Sequence, residues 1–291
     1  MRAFHRMLAA GLAAAVLAGA PDADAQIRVR LRTEYDRYLL FEPIVVRVRV
    51  DNEGMAPLVF GGESPNATLN LYVDLAPDRP ARRTEEPVLR EPFEVPAFGS
   101  NVVTVELLRL FDLPESGPIA VTACVETGGK EYASGRLLLD IVPGLSLVRM
   151  EAQLVGDGGG RREYQLRCLG RNGREHLFLR VDDPDRHVCC GVFDLGSLLR
   201  VWKPRMMLDG EGALHVLHQS APARLTHTVY HDAERRVRSE FLSTTDRPPD
   251  LARDAEGRVT VVGAAPYQGD VMQAPRRGDR QPPPDRLPAR R

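Results

Sequence analysis

Residues 204–217, PRMMLDGEGALHVL, recur 45 positions later as 249–262, PDLARDAEGRVTVV. Five of the fourteen aligned positions are identical: Pro204/Pro249, Asp209/Asp254, Glu211/Glu256, Gly212/Gly257 and Val216/Val261. Average residue usage predicts roughly one. The conserved positions spell a short extended segment, an Asp-x-Glu-Gly turn and an alternating strand. In such a turn the Asp carboxylate can cap the backbone while Gly takes the left-handed position. The C-terminal half is therefore expected to be antiparallel sheet.

Working outward, candidate strands lie at 146–155, 163–169, 175–182 and 187–194, then at 204–208, 213–218, 225–230 and 235–242, and the repeat restarts at 249. The Gly-rich run 156–160 and the pair Asn172-Gly173 supply turns between them. Four strands per period of about 45 residues is the spacing of a propeller blade. The Asp-x-Glu-Gly turns resemble those in propeller repeats of secreted and sensor proteins. Two and a half units cannot close a ring of at least four blades. The expectation for 144–266 is thus an irregular, propeller-like antiparallel β domain.

Upstream, 27–32 (IRVRLR) and 45–50 (VVRVRV) alternate apolar and charged residues with period two, as half-buried strands do. Further strands are expected at 68–74, 101–107, 118–125 and 136–142, with Pro80, Pro87, Pro92 and Pro96 in the connections. Tyr38-Leu39-Leu40-Phe41-Glu42-Pro43-Ile44, the strand after it and Asn52-Glu53-Gly54 resemble the first hairpin of immunoglobulin-like modules in secreted bacterial proteins. Phe111-Asp112-Leu113, with Gly117 opening 118–125, is similar to their penultimate strands. The resemblance implies an immunoglobulin-like β-sandwich over 26–143. It implies no activity, because such modules position other things. The predicted class is all-β.

Arg2, His5 and Arg6 precede an apolar run, Met7–Ala20, and the small-x-small site Ala23-Asp24-Ala25. That is the anatomy of a secretory signal peptide over 1–25, with export to the periplasm or exterior. The run is shorter than the ~20 residues a membrane span needs, so no transmembrane anchor is expected after cleavage. Formal net charge is −1, which provides no global field for nucleic acid. Of 39 basic residues only Lys130 and Lys203 are lysine. Arginine abundance by itself follows from a GC-rich coding sequence and assigns no site. The Pro- and Arg-rich segment 267–291 reads as a disordered tail, and its Arg277-Gly278-Asp279 as coincidence.

Catalytic signatures are missing: the sequence contains no G-x-S-x-G, H-E-x-x-H or phosphate-cradling loop. His215, His218, His227 and His231 fall within seventeen residues. Strand periodicity puts His227 and His231 on one face and sends His215 and His218 to opposite faces. A metal could be held by His215, His227 and His231, with Asp232 or Glu234 as a fourth ligand. Cys168 and Cys189 are placed on neighbouring strands as a candidate disulfide, export being permissive. Asp182, Asp183 and Asp185 read as a solvated turn rather than a calcium loop. Trp202, Tyr230 and Tyr267 are the rings available to stack on a glycan. The resulting expectation is an exported, non-catalytic scaffold or binding protein of the cell envelope without a cofactor, its partner an envelope or extracellular protein or glycan. The alternative is a metal-binding protein or metal-dependent enzyme built on the histidines.

Overall fold

The computed structural model describes residues 27–76, 79–153, 160–231, 236–244 and 247–267. The expected leader (1–25) and most of the expected tail (267–291), together with Asp232, Glu234 and the glycine run at 156–159, lie outside the described residues. The regular structure of the described chain is all strand apart from one four-residue helix, Leu107–Leu110. It divides into two compact units.

The first unit contains a three-stranded antiparallel sheet, Ile27–Arg32, Val45–Asn52 and Gly99–Glu106, with Val45–Asn52 in the centre. Alternation decides its faces, since successive side chains point to opposite sides. Val46, Val48 and Val50 are fully buried, while Arg47 and Arg49 face out. A second, larger sheet includes in order Gly117–Thr127, Ala67–Ala76, Leu58–Phe60 and Phe93–Val95, with Lys130–Ala133 pairing on Gly117–Thr127 and Arg79–Pro80 on Ala67–Ala76. Its inward residues, among them Leu71, Val121, Ala123 and Val125, are equally buried. Asn52 ties the turn after its strand. Its side-chain amide donates to the carbonyls of Ala56 and Pro96, and its oxygen accepts the Gly54 N–H.

The second unit is layered. An antiparallel front sheet runs Leu145–Gln153, Arg161–Arg171, Arg174–Asp183, Val188–Leu198. A middle sheet runs Arg205–Leu208, Leu214–Ala221, Arg224–Tyr230, Arg236–Ser243, Ala264–Pro266. A separate hairpin, Asp250–Arg253 with Val259–Val262, forms the third layer. Leu166, Leu177, Leu179 and Val181 of the front sheet pack with Leu214, Val216 and Tyr230 of the middle one. On the other side Leu217 and Leu225 pack with Leu251, Val259 and Val261 of the hairpin. This double burial is why Leu214–Gln219 is buried at every position rather than at alternate ones. Tyr35–Pro43 belongs to this unit and covers the outer face of the front sheet through Leu39 and Phe41.

The sequence repeat is a structural repeat of one hairpin. Arg205 pairs with Leu217 as Asp250 pairs with Val262, and the registers stay in step along both hairpins. In each turn the Asp carboxylate accepts a backbone N–H four residues on, from Ala213 or Arg258, and Gly212 or Gly257 sits at positive φ. The two turns also touch, the Gly210 N–H donating to the Gly257 carbonyl at 2.8 Å. The period stops there. Ala264–Pro266 returns to pair with Arg236–Ser243, so the second copy never grows into a four-stranded unit and the sheets remain open.

The contact between turns makes an unequal pair of substitutions. A Cβ on Gly212 would meet nothing within 4 Å, so Gly212→Ala bears only the left-handed backbone cost of about 1 kcal/mol. A Cβ on Gly257 would lie 3.0 Å from the Gly210 Cα. Gly257→Ala should therefore cost about 2–3 kcal/mol in urea unfolding, clearly more than Gly212→Ala.

Candidate functional site

The histidine cluster is built by the first copy of the repeat and the strand beside it. His215 pairs across to Val229 and Leu217 to His227, so the two imidazoles are diagonal neighbours on the face toward the hairpin. They stack with ring centres 5.1 Å apart, and His215 Nδ1 lies 3.0 Å from His227 Nε2. His215 Nε2 lies 3.2 Å from the Asp209 carboxylate. The acceptor-only carboxylate makes His215 Nε2 a donor; in the neutral ring Nδ1 is then the acceptor and His227 Nε2–H its donor. The other Asp209 oxygen accepts the N–H groups of Glu211 and Ala213. Burial alone would raise the Asp209 pKa, but His215 and those two donors outweigh it and hold the carboxyl below its ordinary value. Burial, aided by His215, pushes His227 down to about 4.

His231, the third expected ligand, stands exposed at the end of its strand. His218 occupies the opposite face, as alternation requires, and is buried. The Ser197 backbone approaches it, yet neither ring nitrogen completes a hydrogen bond of normal geometry. Burial and the nearby Arg238 push His218 to about 4. Among the described residues no group of three His, Cys, Asp or Glu side chains is arranged to hold a metal. His215 and His227 direct their facing nitrogens at each other, which occupies the Nδ1 lone pair of His215. The arrangement is a closed Asp–His–His chain that locks the repeat turn to the middle sheet.

The cysteine expectation needs correction. Cys168 pairs across to Leu177 and Cys189 to Asp182, so the Arg174–Asp183 strand lies between them. Strands two apart are separated by about 9.5 Å, beyond the ~7 Å Cα reach of a disulfide. All four cysteines are free thiols, with Cys190 alone exposed. Cys190 is the extra residue of a bulge, since Asp182 pairs with Cys189 and Val181 with Gly191. Burial pushes the Cys189 thiol up to about 11. A thiol reagent should label one equivalent rapidly in the folded protein, at Cys190, and the other three only on unfolding.

Each aspartate of 182–185 is occupied by an arginine: Asp182 by Arg180, Asp183 by Arg162 and Asp185 by Arg161. Asp183 also accepts the N–H groups of Asp185 and Arg186. These carboxylates close the turn and do not converge on a point. The candidate stacking rings are equally dispersed. Trp202 packs on the hairpin side, Tyr230 lies between front and middle sheets, and Tyr267 is exposed with the Arg224 guanidinium over it.

Sequence reasoning missed the most constrained polar group of the second unit. Arg171, buried at the end of its strand, donates to the Glu42 carboxylate. Its guanidinium lies 4.4 Å from the ring centre of Tyr35 and 4.6 Å from that of Phe178. The same Glu42 oxygen accepts the Leu39 N–H at 2.8 Å, closing a turn in which Phe41 adopts φ 68°. A bulky side chain in the left-handed region is rare, and here the ion pair holds it. Burial raises the Glu42 pKa, partly opposed by Arg171 and the Leu39 N–H. The partners are 129 residues apart, so only the spacing of Tyr35 and Tyr38 could have hinted at an aromatic enclosure.

In the first unit an open depression of about 300 Å³ is lined by Met55, Pro57, Asn66, Lys130 and Tyr132. The Asn66 side chain there is already committed to the backbone of Val59 and Pro57.

No protein-family model and no curated protein matches the chain. Among solved structures it is similar to Spo0M, a sporulation control protein from Bacillus subtilis, at 14% identity and TM-score 0.27, over 76% of this chain and 91% of that one. It is also similar to the YadV chaperone at 12% identity and TM-score 0.22, over 72% of this chain and 98% of that one.

Proposed function

We propose that the protein is an exported, non-catalytic scaffold or binding protein of the cell envelope, with an immunoglobulin-like first part and a propeller-like second part. The observation that carries this reading is the closure of the polar clusters. Asp209, His215 and His227 hydrogen-bond one another, Glu42 is ion-paired with Arg171, and the acidic turn is neutralised by arginines. None of these clusters combines a nucleophile, a base and an open position for substrate, the minimum for covalent or general-base chemistry. Faces and edges are then what the protein has to offer a partner. Saturable co-sedimentation of the purified protein with isolated envelopes, and secretion with Gln26 as the mature N-terminus, are the expected results. A hydrolytic activity abolished by one point mutation would overturn the reading.

The closeness of His215 and His227 supports one second reading, a metal held by these two residues and His231. It requires the imidazoles to rotate out of their mutual bond and His231 to turn inward. Stoichiometric zinc or copper after dialysis, lost in His227→Ala, would favour it, and a metal-free preparation would end it.

A further inference from the structure

Five arginines stand on one exposed sheet face of the first unit. Arg28, Arg30 and Arg32 alternate outward along the edge strand, and Arg47 and Arg49 do so on the strand beside it. The antiparallel register opposes Arg30 to Arg49 and Arg32 to Arg47 directly. Along each strand outward residues recur about every 7 Å, and the strands lie about 4.8 Å apart. The result is a narrow basic strip, three arginines on one strand and two on the next, with Asp51 opposite Arg28.

The acidic groups around it do not neutralise it. Asp51 accepts from both Arg30 and Arg49, at 2.6 and 2.8 Å, and Glu53 lies 4.0 Å from Arg28. Glu106 shares the face at the far end, opposite Val45. Arg32 and Arg47 make no ion pair or side-chain hydrogen bond among the described residues. Like charges directly opposed across a sheet destabilise it. A face that served folding alone would place Thr or Glu at one of each pair. Positions that cost stability and remain exposed are where binding competes with folding.

We propose that this strip binds a linear acidic polysaccharide. The proposal rests on the envelope-binding reading above and supplies its ligand class. Guanidinium groups take carboxylates or sulfates in bidentate fashion, and a row of them matches a polymer with regularly spaced anions. The third strand contributes Ser100, Val102 and Thr104 to the same face, with no aromatic ring. Single-stranded nucleic acid is held largely by stacking on such rings. Membrane-surface binding adds several apolar side chains at the headgroup boundary, whereas Val102 is the single exposed one here.

The test is titration of the purified protein with alginate and with heparin at low and high salt, alongside phosphatidylglycerol vesicles and single-stranded DNA. Binding to a polysaccharide that weakens with salt, and falls at least tenfold in Arg32→Thr/Arg47→Thr while the melting temperature is unchanged or raised, is the expected result. Absence of binding to either polysaccharide, an affinity that survives the double substitution, or tighter binding to vesicles or DNA would overturn it. Should the double variant still sediment with envelopes as the wild type does, the polysaccharide proposal falls and the binding-protein reading stands. Should the wild type itself fail to sediment, both fall.

Discussion

Replacing Glu42 by alanine should destabilise the second unit by about 3–5 kcal/mol, as much as truncating a fully buried core aromatic. The cost comes from what remains. Arg171 stays buried among Tyr35, Tyr38 and Phe178 with its charge uncompensated. The Leu39 N–H also loses its acceptor, and the left-handed turn at Phe41 loses its tie. Urea unfolding followed by far-UV circular dichroism measures the loss. The pair Glu42→Leu with Arg171→Met should recover most of it, because an apolar replacement removes both desolvation penalties together. If Glu42→Ala cost less than about 1 kcal/mol, the ion pair would not hold Tyr35–Pro43 in place.

Acid should destabilise the protein in a window set by two histidines. His218 and His227 are held near 4 by burial, whereas in the unfolded chain they titrate near 6.5. Between these values the unfolded state binds more protons than the folded one, so stability rises with pH. The contribution is full above about pH 6.5 and is lost as pH falls toward 4. At 1.36 kcal/mol per pH unit each histidine accounts for about 3 kcal/mol. Urea midpoints should drop steeply between pH 7 and pH 4.5, and His218→Met or His227→Phe should flatten the profile. A flat wild-type profile over that interval would show that neither ring is buried uncharged. The paired carboxylates act lower on the scale. Asp51, Asp183, Asp185 and Asp254 have lowered pKa values, so their contribution is present above about 4 and is lost only below it. The two windows are therefore separable.

Local chemistry was legible where it involved neighbours in the chain. Asn172-Gly173 takes positive φ at both residues, the hairpin turn that its side chains favour. The Asp-x-Glu-Gly turns close as their residue types require, and the strands of both sheets of the second unit fall within a few residues of their expected positions. Opposite placement of His215 and His218 followed from strand periodicity alone. The partner of each ring did not, because Asp209 reaches His215 only once the turn has folded back.

What the amino-acid order determined by itself is the pleated character of the chain, its turns and the alternation that turns arginines outward at 28, 30, 32, 47 and 49. These are consequences of period-two geometry and of residues that tolerate or demand particular φ values, and both act over a few positions. Only the tertiary structure decided that the repeat ends after one hairpin, that Cys168 and Cys189 are kept apart by an intervening strand, and that Glu42 meets Arg171. Those outcomes depend on which strand bonds to which, and on the free energy of burying a charge between segments distant in the chain. No local pattern encodes either, because each arises from the competition among many nearly equivalent sheet pairings.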